Sequence, residues 1–223
     1  MTALLTRVRI WLPDAPGVLG SVAAAIGAVQ GNVIGLEVLE RESGVAIDEL
    51  VVELPDVDGS VEALCRGVRS VPGVGIEEVT KLDAAALDRE DTVLAAAAAI
   101  LQAAIPSAAM TALTGNLISL FGLSWLAVAD NSLERFSEVH GDVPPARWVA
   151  AFAHGARSGT DPANDTTGSG VFVEPLPEAA VTVCGGRATP LRRRERREIA
   201  LLAMVAARFM DALGRGDHGR ATA

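Results

Sequence analysis

Between Leu5 and Leu82 the hydrophobic pattern switches repeatedly between a period of two and a period of about 3.6, and the order of those switches leaves few folds open. From Leu5 to Leu12, Val8, Ile10 and Leu12 face one way while Arg7, Arg9 and Trp11 face the other, which predicts a half-buried strand. Pro13, Asp14 and Pro16 close it. Leu19, Val22, Ile26 and Val29 then recur at helical spacing up to Gly31-Asn32. Two further strands, Val33 to Glu40 and Ala46 to Leu54, flank Glu42-Ser43-Gly44, a connection suited to a hairpin. Leu50, Val52 and Leu54 form the buried face of the second, and Glu49, Val51 and Glu53 a largely wet one. A second helix begins near Ser60, with Val61, Leu64, Cys65 and Val68 on one stripe, and stops before Pro72-Gly73. The last strand runs from Val74 to Leu82, where the three-residue step from Ile76 to Val79 predicts a bulge. Strand, helix, strand, strand, helix, strand folds by right-handed crossovers into an antiparallel sheet with both helices on one face. The other face, carrying Trp11 and Val51 among its charges, is expected to stay open until a partner covers part of it.

A chain of 223 residues has room for a second core. Residues 83–91 are small and charged and are expected to link a domain over 1–82 to another over 92–214, followed by a disordered tail at 215–223. In the second half a helix is expected from Thr92 to Ile105, stopped or kinked at Pro106. Strands are expected at Ser124 to Ala129 and Phe136 to Val139, a helix after Pro145, and a loop from Ser158 to Gly170. Two more strands, Val171 to Glu174 and Val181 to Cys184, precede a helix from about Arg192 to Leu213. The segment from Thr92 to Ala129 contains no charge, yet Pro106, Gly115, Asn116 and Gly122 divide it, so it reads as core rather than as a membrane span.

The run Asp14-Ala15-Pro16-Gly17-Val18-Leu19, set between the first strand and first helix, resembles the signature turn of ACT domains. Gly31-Asn32-Val33-Ile34 and Val71-Pro72-Gly73-Val74 are similar to that family too, and together the likeness covers residues 5–82. It implies a ferredoxin-like βαββαβ sheet that binds an amino acid and regulates a metabolic protein. The second half resembles a GAF-type domain more distantly, through Leu191-Arg192-Arg193-Arg194-Glu195 and the helix containing Leu201, Leu202 and Ala203. The expected class is therefore α+β throughout.

An amino acid presents a carboxylate and an ammonium. The amides of Gly17, Val18 and Leu19, at the start of a helix, lack intrahelical acceptors and can receive the first. Gly17 has no Cβ to block approach, and Asp14 can pair with the second. Ala15 and Pro16 complete the turn. In family members that bind at a dimer interface, residues matching Asn32, Val33 and Ile34 close the pocket, and the apolar Val33 favours an apolar amino acid or a weaker site. The plainer reading is that Asp14 caps the helix, worth about 1 kcal/mol, and that Pro16 and Gly17 only shape the turn.

Other chemistry finds little footing. A net charge of -9 and a pI near 4.8 argue against nucleic acid, and Lys81 is the only lysine. His140, His154 and His218 are scattered without metal-ligand spacing, and no serine or cysteine sits in a nucleophile motif, so neither a metal nor catalysis is expected, and no cofactor. Gly168-Ser169-Gly170 lacks the ending of a phosphate loop. Arg192, Arg193, Arg194, Arg196 and Arg197 read as a solvated helix face neutralised by Glu195 and Glu198. Cys65 and Cys184 stand far apart in apolar segments, which fits a reduced, cytoplasmic setting. Two functions remain: a dimeric regulatory protein sensing a small amino acid and relaying it to a partner, or a ligand-free module for assembly or docking.

Overall fold

The computed structural model describes residues 3–82, 89–158 and 169–220, and the chain divides into two compact units, Met1–Arg89 and Glu90–Ala223. The class is α+β, with one four-stranded antiparallel sheet in each unit. Residues 83–88, most of the expected linker, lie outside the described residues.

The first unit runs β1 (Ala3–Pro13), α1 (Val18–Ala28), β2 (Asn32–Glu42), β3 (Val45–Pro55), α2 (Ser60–Arg69) and β4 (Gly75–Lys81). Its sheet order is β2-β3-β1-β4, the ferredoxin-like arrangement that two crossovers impose. Val8 stands opposite Leu50 and Thr6 opposite Val52, so the in-phase residues of β1 and β3 form one apolar surface. Val22 and Ile26 of α1 and Leu64 and Val68 of α2 pack on it. Each such side chain contributes about 1.5–3 kcal/mol by leaving water. The β2–β3 turn is only Ser43-Gly44, both left-handed at φ 53° and 81°, which matches the twist of a tight hairpin. The expected bulge in β4 is present: pairing shifts between Arg9/Glu78 and Ile10/Ile76, leaving Glu77 as the extra residue.

The face opposite the helices is less wet than its sequence suggests. Arg9 and Glu49 stand opposite each other and are 3% and 4% exposed, with Arg9 Nη2 2.8 Å from Glu49 Oε2. Cross-strand register makes this possible, because a guanidinium and a carboxylate placed side by side neutralise each other. Arg7 Nε adds a contact at 3.2 Å. Trp11 remains 45% exposed, its indole lying over Gly75, its partner in β4, where any Cβ would collide with the ring.

The second unit runs α3 (Arg89–Leu101), α4 (Pro106–Phe121), β5 (Trp125–Asp130), β6 (Phe136–Gly141), α5 (Ala146–Ser158), β7 (Val171–Leu176), β8 (Val181–Gly186) and α6 (Arg193–Arg220). The sheet order is β6-β5-β8-β7. Leu126, Val128, Phe172 and Val183 join Ile100, Leu113, Leu117, Phe121, Ile199 and Leu202 from α3, α4 and α6 in the main core. On the opposite sheet face Trp125, Ala127 and Cys184 pack against Val149 of α5.

Three expectations change here. Pro106 opens α4 rather than merely ending α3, since its missing N–H costs nothing in a first turn. Gly115 and Asn116 do not break the segment: they lie inside α4, where Asn116 Nδ2 donates to the Ala112 carbonyl at 2.7 Å. The last helix continues past Gly214 to Arg220, and residues 221–223 lie outside the described residues. Among the described residues no helix is long and apolar enough to cross a membrane. The loop expected at 158–170 falls mainly on residues 159–168, also outside the described residues.

The arginine run is not a uniformly solvated face either. Glu195 is 1% exposed and accepts two bonds from Arg187 Nη2, at 2.8 and 3.0 Å, and one from the Arg192 amide at 2.8 Å. Arg196 donates to the carbonyls of Val171, Ser169 and Leu191. These bonds satisfy carbonyls of the loop before α6 and fix the helix start, as a capping carboxylate at the third helical position does.

Candidate functional site

β1 delivers the chain to the expected turn at the end of the sheet where Pro13 stands opposite Val45. The Asp14 amide donates to the Gly44 carbonyl at 2.8 Å, which ties the turn to the tip of the β2–β3 hairpin. Asp14, Ala15, Pro16 and Gly17 are all exposed, and Gly17 precedes α1 with φ 88°, a left-handed conformation that a side chain strains. Nothing lies within 4 Å of where a Gly17 Cβ would be, so the glycine answers to backbone geometry rather than to crowding. Val18 and Leu19 are half-buried against the core.

No side chain caps α1. The Val18 amide reaches the Ala15 carbonyl only at 3.4 Å, and those of Gly17, Leu19 and Gly20 donate to no acceptor among the described residues. This leaves amides at the positive end of a helix pointing outward, an arrangement that receives anions. The plain capping role for Asp14 does not hold, because its carboxylate is engaged elsewhere. Arg41 of β2 grips it, Nη2 to Oδ1 at 2.7 Å and Nε to Oδ2 at 3.1 Å. That bond and the Asp14 charge hold the Arg41 guanidinium above its ordinary pKa.

Asn32, Val33 and Ile34 lie elsewhere. Asn32 is opposite Glu53, at the other end of the sheet from the Pro13–Val45 row, and eight residues of strand separate the two, roughly 26 Å. Within one chain these residues do not meet Asp14 or Gly17. Asn32 and Ile34 are exposed and Val33 packs on the core edge.

Sequence reasoning missed two members of the site. Arg41 carries no local signal: its role appears only when the hairpin folds back on the turn. Asp48 does carry one, since it is in phase with Leu50, Val52 and Leu54 and so belongs to the buried face of β3. It sits there, 3% exposed, opposite Ile10 on one side and Val38 on the other. Its Oδ1 has no hydrogen-bond partner. Burial raises its pKa, the Asp14 charge raises it further, and Arg41 opposes both. These influences place the buried carboxylate within electrostatic reach of the turn.

Elsewhere, Cys184 donates to the Ala127 carbonyl at 3.4 Å and burial pushes its thiol up to about 12, far from a nucleophile's range. His140 Nε2 lies 2.8 Å from Glu138 Oε1, which also accepts from Thr114 Oγ1 at 3.1 Å. Among the described residues no three metal-capable side chains cluster.

No protein-family model and no curated protein matches the sequence. Solved structures give slight likenesses. An uncharacterised protein from Thermotoga maritima is 16% identical, covering 37% of this chain and 100% of its own at a TM-score of 0.30. The ACT domain from GTP pyrophosphokinase of Chlorobium tepidum is 22% identical, covering 36% of this chain and 100% of its own at a TM-score of 0.29. An unknown protein from Galdieria sulphuraria is 12% identical, covering 96% of this chain and 95% of its own at a TM-score of 0.32. These likenesses lend no support to the GAF-type resemblance of the second half, and none fixes a function for this chain.

Proposed function

We propose that this chain is a non-catalytic regulatory or sensor protein of ACT type, whose first unit binds a small amino acid at the turn between β1 and α1. The observation that carries this reading is the set of free amides at Gly17, Leu19 and Gly20, at the positive end of α1 beside Asp14, Arg41 and Asp48. The amides and Arg41 suit a carboxylate, and the two aspartates suit an ammonium. The same reading makes the protein a cytoplasmic homodimer that relays ligand binding to a partner. Support for a second copy comes from β2, an edge strand whose Ile34, Leu36 and Val38 are 43–45% exposed. In such a dimer Asn32, Val33 and Ile34 of one protomer are available to the turn of the other. Relay requires that the ligand prefer one arrangement of the protein over another, since equal affinity for both shifts nothing.

One observation favours the alternative of a ligand-free assembly or docking module: Arg41 already satisfies both Asp14 oxygens. Thermal unfolding with each common amino acid separates the two. A ligand at about a hundred times its dissociation constant adds roughly 2.7 kcal/mol to the stability of the folded form. Stabilisation by one or a few amino acids is expected, and no stabilisation by any of them favours the assembly module. Sedimentation across a range of concentrations tests the dimer, and a monomer throughout removes it.

A further inference from the structure

We propose that Asp48 is the specificity-determining residue of this site: its carboxylate receives a primary ammonium group, so that the site admits α-amino acids and rejects the same molecules lacking the amine. The proposal rests on the ligand-binding reading of the β1–α1 turn and adds to it a residue that lies outside the turn.

The first observation is the state of Asp48 itself. A carboxylate kept on a buried sheet face for structural reasons has its oxygens satisfied, because an orphaned buried acceptor is costly. Asp48 is 3% exposed, yet its Oδ1 has no partner, and neither of its register neighbours, Ile10 and Val38, brings a donor. The second observation is where it sits. Crossover topology lays α1 over β3, and Asp48 occupies the row one step in from Ala46, the residue paired with Arg41. It therefore lies on the helix-facing side of the sheet, opposite Ile10 and three residues in from the row where β1 gives way to the turn, close enough for the charges of Asp14 and Arg41 to act on it. The third is the approach. Val38, directly opposite Asp48 on β2, is 43% exposed, and the Arg41 side chain is 63% exposed, so this corner opens at the sheet edge.

The missing partner has a definite chemistry. An orphan carboxylate oxygen calls for a donor, and a second carboxylate nearby makes a cationic donor the favourable one. A metal ion is a poor fit, since among the described residues no third metal-capable side chain joins the two aspartates. An ammonium supplies donors and charge together, and it carries its own carboxylate to the free amides of α1 and to Arg41. Asp14 is held by Arg41 in the free protein, which leaves Asp48 as the carboxylate with an open acceptor.

The test uses the full chain and calorimetric titration with glycine, alanine, serine, valine, leucine and isoleucine. Each is compared with its analogue lacking the amine, such as 3-methylbutanoate for valine. The expected result is that an amino acid binds the wild type, that its des-amino analogue does not, and that Asp48→Asn weakens binding by about ten- to a hundredfold. Binding of the des-amino analogue as tightly as the amino acid overturns the proposal. So does an Asp48→Asn protein that binds like wild type while Gly17→Val does not, and in that case the turn remains a ligand site. If no amino acid binds the wild type, the reading of the turn fails, and Asp48 is tested alone by titrating methylammonium while following its carboxyl carbon resonance by NMR. A saturable shift supports ammonium recognition, and an unmoved resonance ends it. The analogue series and the methylammonium titration are made on the wild-type protein, so neither depends on the folding of a variant.

Discussion

Replacing Glu174 by glutamine should remove a pH dependence from the second unit that the wild type carries. Glu174 lies on β7 opposite Val183, on the sheet face that α6 covers, and burial there pushes its carboxyl up from 4.5 to about 7, with Arg196 opposing only in part. In the unfolded chain the group ionises near its ordinary value. Between those two pH values the unfolded state has lost a proton that the folded state keeps, so stability falls as pH rises. The loss begins above pH 4.5 and is complete once pH has passed about 7. The difference of about 2.5, at about 1.4 kcal/mol for each tenfold, amounts to roughly 3 kcal/mol. Glutamine keeps the shape without the ionisation. Urea unfolding of wild type and Glu174→Gln at a series of pH values from about 4 to 8.5 measures this, with Trp11→Phe as the common background. Trp125 and Trp148 then report on the second unit alone. The stability difference between the two proteins should be small at the acid end and grow to roughly 3 kcal/mol in favour of glutamine at the alkaline end. A difference that stays constant across the range refutes the reasoning.

Arg187→Met removes the guanidinium that pairs with the buried Glu195 carboxylate, and should cost the second unit about 3–5 kcal/mol in the same urea assay. Gly75→Val drives the Trp11 indole off the sheet, so the first unit should lose about 1–3 kcal/mol and Trp11 emission should move to the red. Gly17→Val places a β-branched residue at φ 88°, where its Cβ meets no neighbouring atom but the backbone conformation is strained, so the melting temperature should fall by the equivalent of about 1–3 kcal/mol while the far-ultraviolet circular dichroism stays that of wild type. Cys65, half-buried, should react with a thiol reagent in the native protein, whereas Cys184 should react only at the rate of unfolding.

The first unit was legible because β1 and β3 alternate apolar with largely polar residues in sequence, so period separates these strands from the helices. Even the bulge at Glu77 was visible as a three-residue step between Ile76 and Val79. The second half was harder for a physical reason. In α4, Gly115 and Asn116 read as breakers, yet Asn116, like Thr111, turns its side chain back to a carbonyl four residues earlier and the helix absorbs them. Burial of Leu113, Leu117 and Phe121 then decides the matter, which local propensity cannot register. Glu195 and Arg196 failed in the opposite direction, as charges whose partners are carbonyls and a guanidinium brought in by loop geometry. At the candidate site the turn was readable from Asp14 to Leu19. Arg41 was not, because no spacing rule connects a residue with a partner 27 positions away.

Two contacts fasten the same corner of the first unit: Asp14 donates its amide to Gly44 and its carboxylate accepts the Arg41 guanidinium. They make the start of α1 and the far end of β2 one mechanical piece. Whatever draws Arg41 away from the turn also loosens the end of β2, an edge strand and the one on which the proposed dimer would form. A molecule small enough to occupy that bend thus has a lever on a surface many times its own size.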